Sequence, residues 1–189
     1  VAWSRYAFHL LLVIVVLGPR LGLSLVRTRR PGAQFVRGLL LAIASISFIS
    51  AVKYMPLAEA AAIAFLGPLL IVVMSVLLLK EKVEAARWIA VLCGFIGVLI
   101  IIRPGSSVFT WAALFPLANA IAFASYQILT RRLSGLESAY TSIFYSGLIG
   151  TLLLSAALPY AWVMPRNGLH MSLFVLTGVL GGLSHLILI

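Results

Sequence analysis

The chain has 189 residues, of which 63% are hydrophobic and 10% charged, with a formal net charge of +10, and a mean hydropathy of +1.16. A soluble domain carries about 25% charged residues, so the composition excludes one. The lone Cys93 excludes an internal disulfide or thiolate metal cluster, and the basic excess, split among separate breaks with no base-reading element beside it, excludes a nucleic-acid partner in favour of a topology signal and attraction to anionic lipid heads.

Seven strongly apolar stretches follow one another, roughly Ala2 to Leu17, Gly38 to Tyr54, Leu57 to Leu79, Trp88 to Ile102, Phe109 to Leu129, Ala139 to Trp162 and Ser172 to Ile189. Most approach the ~20 apolar residues that cross a bilayer as a helix. They are continuously apolar rather than alternating, which predicts an all-α polytopic membrane bundle and not a barrel. The first stretch is not a signal peptide, because Arg5 and His9 interrupt its start and no small-residue cleavage site precedes the arginine-rich break.

The breaks alternate in charge. Arg20, Arg27, Arg29, Arg30 and Arg37 follow the first stretch, Lys80, Lys82 and Arg87 the third, and Arg131 and Arg132 the fifth, which is ten of the 14 Lys and Arg. Arg5, Lys53, Arg103 and Arg166 fall on the other side, so the positive-inside rule puts the first group in the cytoplasm and Val1 outside.

Within the second stretch Ser47, Ser50 and Tyr54 share a face, with Lys53 adjoining. In the third, Pro68 cannot donate a backbone N–H and clashes with the preceding turn, predicting a kink at Gly67 and Pro68, about halfway down, of the sort that lines transport sites in broken membrane helices. Lys53 and Glu59 are the ionisable residues near it, both at the outer ends of their helices; ionisable groups near a membrane interior are candidate substrate or proton sites. Pro116, Asn119, Phe123, Tyr126 and Thr130 share one face of the fifth stretch, with Asn119 and Tyr126 as candidate cavity-lining hydrogen-bonding groups, and interhelical bonding as the alternative. The seventh has Gly178, Gly181 and Gly182, whose 178-to-182 spacing allows close backbone approach, followed by His185.

The chain has no Asp, only four Glu, and three scattered His. It has no H-E-x-x-H, no phosphate-binding G-x-x-x-x-G-K-[ST] loop and no G-x-S-x-G elbow, so neither a metal, a cofactor nor an enzyme is expected. A start without methionine and an apolar finish are read as the ends of a segment of a longer chain.

The stretch from Ala51 to Gly105, with its A-E-A before a helix, mid-helix Pro68, the L-x-E-x-V turn at Leu79 to Val83, a Gly-rich helix and the closing Arg103-Pro104-Gly105, resembles the EamA domain of the drug/metabolite transporter superfamily. Leu117 to Gly135 is similar to the opening helix of that family's second repeat, and Gly178 to Ile189 to its third. The resemblance implies ten helices in two inverted five-helix repeats, of which this chain holds helices two to eight, with 1–105 in the first repeat and 106–189 in the second. It implies a secondary transporter of the bacterial-type inner membrane that moves small organic metabolites or drugs by alternating access, without ATP or cofactor. Lys53, Glu59, Asn119, Tyr126 and His185 are then the candidate substrate-cavity residues and Gly67 and Pro68 the gating kink, while Glu81, Lys82, Arg103 and Pro104 are structural. A coupling proton carried by Glu59 or His185, and a homodimer through Gly178 and Gly182, stay open, as does the alternative of a membrane scaffold or enzyme without transport activity.

Overall fold

The computed structural model describes residues 2–102, 111–161 and 167–187. Within them the chain forms helices α1 (Ala2–Leu21), α2 (Pro31–Tyr54), α3 (Leu57–Ala64), α4 (Leu66–Leu79), α5 (Ala85–Ile102), α6 (Leu114–Leu133), α7 (Ala139–Ala161) and α8 (Gly168–Ile187), with short 3₁₀ turns at Gly22–Leu25 and Trp111–Ala113. The protein is an all-α polytopic membrane protein. Among the described residues, five segments are long and apolar enough to cross a membrane (Ala2–Leu25, Pro31–Tyr54, Leu57–Leu79, Trp111–Leu133 and Ala139–Ala156), and Ala85–Ile100 and Ser172–Gly181 are shorter apolar helices. Arg103 and Pro104, expected to close the first repeat, lie outside the described residues.

Several helix boundaries differ from the sequence expectation, and four of them move arginines from the expected breaks into helices. Arg87 lies in the first turn of α5 and Arg131 and Arg132 in the last turn of α6, and the other two boundaries concern Arg37 and Arg20. α2 opens at Pro31, not Gly38; proline suits the first helical position, where its missing N–H has no partner to lose. Arg37 therefore lies inside α2 instead of in the preceding break. Arg20 lies in the last turn of α1, where its charge complements the negative end of the helix dipole.

The third apolar stretch is two helices. α3 ends at Ala64 and α4 resumes at Leu66, with Phe65 between them. The position follows from Pro68, because a proline ring collides with the carbonyl four residues before it, and that residue is Ala64. The break thus falls about one turn above the proline and nearer the outer end than midway.

The chain divides into two compact units, Val1–Ala42 with Leu133–Ile189, and Ile43–Arg132. In the first, α1 packs on α7 and α8, with Val13, Leu17, Leu25, Ile143 and Phe144 as its core. Small residues set the spacing: a Cβ on Gly150 would overlap the Tyr6 ring, one on Gly147 would sit 3.1 Å from His9 Cδ2, and one on Gly178 would overlap Phe8 and approach the Ser4 carbonyl to 3.0 Å. Between membrane helices such close contact replaces the hydrophobic drive that water supplies elsewhere. Gly178 of the close-approach motif is therefore covered by α1 of the same chain. In the second unit, α5 packs on α3 and α4, and Ala51, Met55, Ala60, Ile63 and Val98 form the core.

Candidate functional site

In the second unit the expected face of α6 organises most of the candidate residues. At its head, the Phe115 ring stacks on Tyr54 at the end of α2, with centroids 5.8 Å apart and planes at 12°, and Trp111 leans on both. One turn on, Asn119 donates its Nδ2 to the Ala44 carbonyl at 2.8 Å, tying α6 to the part of α2 in this unit. The next turn brings Phe123 to the helix break, where a Cβ on Gly67 would lie 3.6 Å from Phe123 Cδ1 and 3.9 Å from the Ala120 backbone. Below it Tyr126 is buried, 6.2 Å from the Phe123 ring. Thr130 turns its hydroxyl back to the Tyr126 carbonyl at 2.8 Å.

The structure thus puts Asn119, Tyr126 and Gly67 along one helix face. Asn119 makes an interhelical bond, the alternative that its residue type left open. Pro68 occupies the first turn of α4 beside Gly67. Lys53 is exposed, with Nζ 5.5 Å above the Tyr54 ring. Glu59 is half-buried in the first turn of α3, where a carboxylate is favoured by the positive end of the helix dipole. His185 is in α8, but its side chain lies outside the described residues.

A second polar assembly, in the first unit, was missed from sequence. Gln34 is fully buried and Arg37 only 2% exposed. Gln34 Nε2 donates to Ser142 Oγ at 3.1 Å, and Arg37 Nη2 donates to the Ser142 carbonyl and to Ser146 Oγ, the latter at 2.8 Å. Farther out, Thr141 donates to the Ser24 carbonyl and Tyr145 to the Val26 carbonyl. Glu137, brought back over the end of α6 by the positive φ of Gly135, accepts from the Thr28 hydroxyl at 2.9 Å and the Arg29 N–H at 2.8 Å. Burial pushes the Glu137 carboxyl up, but the bonds from Thr28, Arg29, Arg30 and Gln34 outweigh it and hold it below its ordinary 4.5. The assembly joins the turn after α1 and the start of α2 to the start of α7. Its sequence signal was the run of hydroxyl residues Thr141, Ser142, Tyr145 and Ser146 at helical spacing.

In the second unit Arg131 pairs with Glu81 at 3.0 Å, and Arg132 donates to the Leu78 carbonyl at the end of α4. Both are exposed, so each contributes little, about 0–1 kcal/mol for an ion pair of this kind. Lys80 takes the left-handed conformation, φ 54°, that ends α4 before this turn. Among the described residues no group of three or more His, Cys, Asp or Glu is placed to hold a metal ion.

Comparison with known proteins agrees on one family. The EamA-like transporter family matches residues 1–103. The chain is 34% identical over 187 residues to a riboflavin transporter of Vibrio cholerae, covering 97% of this chain and 62% of that protein. It is 31% identical over 180 residues to a riboflavin transporter of Rhizobium johnstonii, covering 95% and 59%. It is 30% identical over 179 residues to an S-adenosylmethionine uptake transporter of Rickettsia prowazekii, covering 93% and 60%. The chain spans about three-fifths of the length of these relatives. With its apolar spans and a family match that covers more than half of its length, the chain is a multi-pass integral membrane protein that belongs to the EamA-like transporter family.

Proposed function

We propose that this chain is part of a secondary transporter that carries a small organic metabolite across a bacterial-type inner membrane by alternating access. The observation that carries the reading is the break between Ala64 and Leu66, packed through Gly67 onto the polar and aromatic face of α6. A membrane helix interrupted within its span leaves backbone groups that protein or a hydrated cavity must satisfy, and such breaks suit a site that changes shape. Asn119 and Tyr126 supply an amide and a phenol beside it, and Gly67 with Pro68 supplies the flexure. Residues 1–105 and 106–189 then belong to two inverted repeats, which accords with the alternation of basic breaks. The chemistry is passage and not catalysis, since the face offers no nucleophile paired with a base.

Relatives named for riboflavin and for S-adenosylmethionine support cargo of this size, and both compounds join a planar nitrogen heterocycle to a polar chain. We take that class as the cargo here. Lys53 serves the outer end of the face, and Glu59, half-buried in the first turn of α3, is the acid assigned to a coupling proton. His185 in α8 remains a cavity candidate. A homodimer is not required, because Gly178 packs within the chain.

A thermal-stability screen of the purified full-length protein tests the cargo. A ligand at ~100 times its dissociation constant stabilises the folded state by about 2.7 kcal/mol. Upward shifts confined to heterocycle-bearing metabolites support the reading, and folded protein that shifts with none of them contradicts it. Under an imposed pH gradient, Glu59→Gln should abolish the gradient's effect on uptake; an unaltered response removes Glu59 from the coupling role.

A further inference from the structure

Three aromatic rings meet where α2 ends and α6 begins, at the head of the α6 face, and the transport reading gives them no part of their own. Tyr54 and Phe115 lie nearly parallel at 5.8 Å. Trp111 approaches Tyr54 to 5.0 Å at 55° and Phe115 to 5.7 Å at 66°. Phe115 is packed against the core that includes Ala51, Met55 and Val98, which holds one ring of the trio. Its outward surfaces stay open nonetheless, with Tyr54 50% and Trp111 63% exposed.

Interfacial anchoring needs only that an amphipathic ring lie at the headgroup level, and contact between rings adds nothing to it. A cluster of one stacked and two tilted ring pairs that keeps exposed aromatic surface extends by one more ring, since offset and tilted arrangements satisfy the aromatic quadrupoles. Lys53 adds direction. Its ammonium stands 5.5 Å from the Tyr54 centroid, within cation–π range, and a charged group here requires water or headgroups around it. It therefore favours a ring with an electron-rich, carbonyl- or nitrogen-bearing edge. The trio is also continuous with the α6 face, because Asn119 follows Phe115 by one helical turn.

We propose that Tyr54, Trp111 and Phe115, with Lys53, form an outer station that stacks a planar heteroaromatic ring before it passes to the level of Asn119. The assignment rests on the transport reading and adds a site to it. Stacking on an aromatic side chain is sequence-tolerant in nucleic-acid proteins because every base has a π face, and the same physics serves any flat heterocycle. The station selects for the ring, not for the rest of the cargo.

The test is tryptophan-fluorescence quenching of the purified full-length protein, with riboflavin and adenosine as flat-ring probes and ribose as the ringless control. Saturable quenching by a flat-ring probe, and none by ribose, is expected. The Trp111→Phe protein should lose most of that signal. Tyr54→Ala should weaken the probe's affinity by about 5- to 150-fold, the span that alanine substitution of a stacking residue gives, and Tyr54→Phe, which keeps the ring, should restore most of it. Should Tyr54→Ala fail to fold, Trp111→Ala followed by equilibrium dialysis reads the same loss. No saturable binding of either flat-ring probe, or binding unmoved by both alanine variants, overturns the station. Uptake of the same probes in proteoliposomes separates the two claims. Ring-dependent binding without flux leaves the station standing and removes the transport reading, whereas flux with an unaltered KM in Tyr54→Ala removes the station and leaves transport.

Discussion

Replacing Pro68 with alanine tests whether the break in the third span is built to flex. The proline removes one bond, from its own missing N–H to the Ala64 carbonyl, and α3 ends at that residue. Alanine restores the donor, and the 23 residues Leu57–Leu79 then form one helix about 34 Å long at ~1.5 Å per residue, enough for a ~30 Å core. In an uninterrupted helix the exchange would gain ~3 kcal/mol. Here Pro68 already sits in the first turn of α4, where its N–H has no helical partner, so the gain shrinks toward one membrane hydrogen bond, about 0.6 kcal/mol. The variant is therefore expected to be more stable by about 0.6–3 kcal/mol and slower in transport. Thermal unfolding of the purified full-length protein reads the first quantity and initial uptake rate in proteoliposomes the second. Gly67→Ala reports on bulk alone at this point, because its new Cβ would make only ordinary contact, 3.6 Å from Phe123 Cδ1; it should fold normally. A Pro68→Ala protein that is more stable yet carries substrate at the original rate would refute the reasoning.

Three further outcomes follow from the packing. Gly150→Ala drives a methyl into the buried Tyr6 ring, whose hydroxyl is held on the Leu41 carbonyl at 3.0 Å, so it should cost the 1–3 kcal/mol of overpacking. Gly97→Ala, with nothing within 4 Å, should cost nothing, and equal melting temperatures for the two would remove the α1–α7 contact from the account. Glu137 has a folded-state pKa below its ordinary 4.5. Its contribution is thus fully present above that pH and is lost as pH falls through the lower folded value. The melting-temperature gap between the protein and Glu137→Gln should be constant near neutrality and close in acid; a gap that widens in acid has the wrong sign. Asn119→Leu should destabilise by about 0.6 kcal/mol, and at most ~1.7, through the lost bond to Ala44, while lowering flux more than that loss explains. A flux change no larger than the change in folded protein assigns Asn119 to packing alone.

What the sequence made legible was local. Pro68 marks its own break because the clash acts only four residues back, and Pro116, Asn119, Phe123 and Tyr126 mark one face because helical spacing is fixed. What stayed hidden depends on residues far apart in the chain. Arg37 reads as a loop charge, since an arginine enters a membrane helix only with partners, and its partners Ser142 and Ser146 are more than a hundred residues away. Gly150 looks like any small residue until Tyr6 is packed against it. Glu137 carries no motif, and its role comes from backbone N–H groups of a turn that only folding brings near. Trp111 and Phe115 read as apolar filler because stacking is a property of relative ring orientation, which spacing does not encode.

The central claim is that the full-length protein moves a heterocycle-bearing metabolite without ATP. Counterflow tests it most directly, with the protein reconstituted in liposomes preloaded with unlabelled riboflavin or S-adenosylmethionine and diluted into a trace of the labelled compound. The account predicts transient, saturable accumulation of one of these labels that needs no nucleotide and is reduced in Pro68→Ala. Folded protein that accumulates neither label above protein-free liposomes would contradict it.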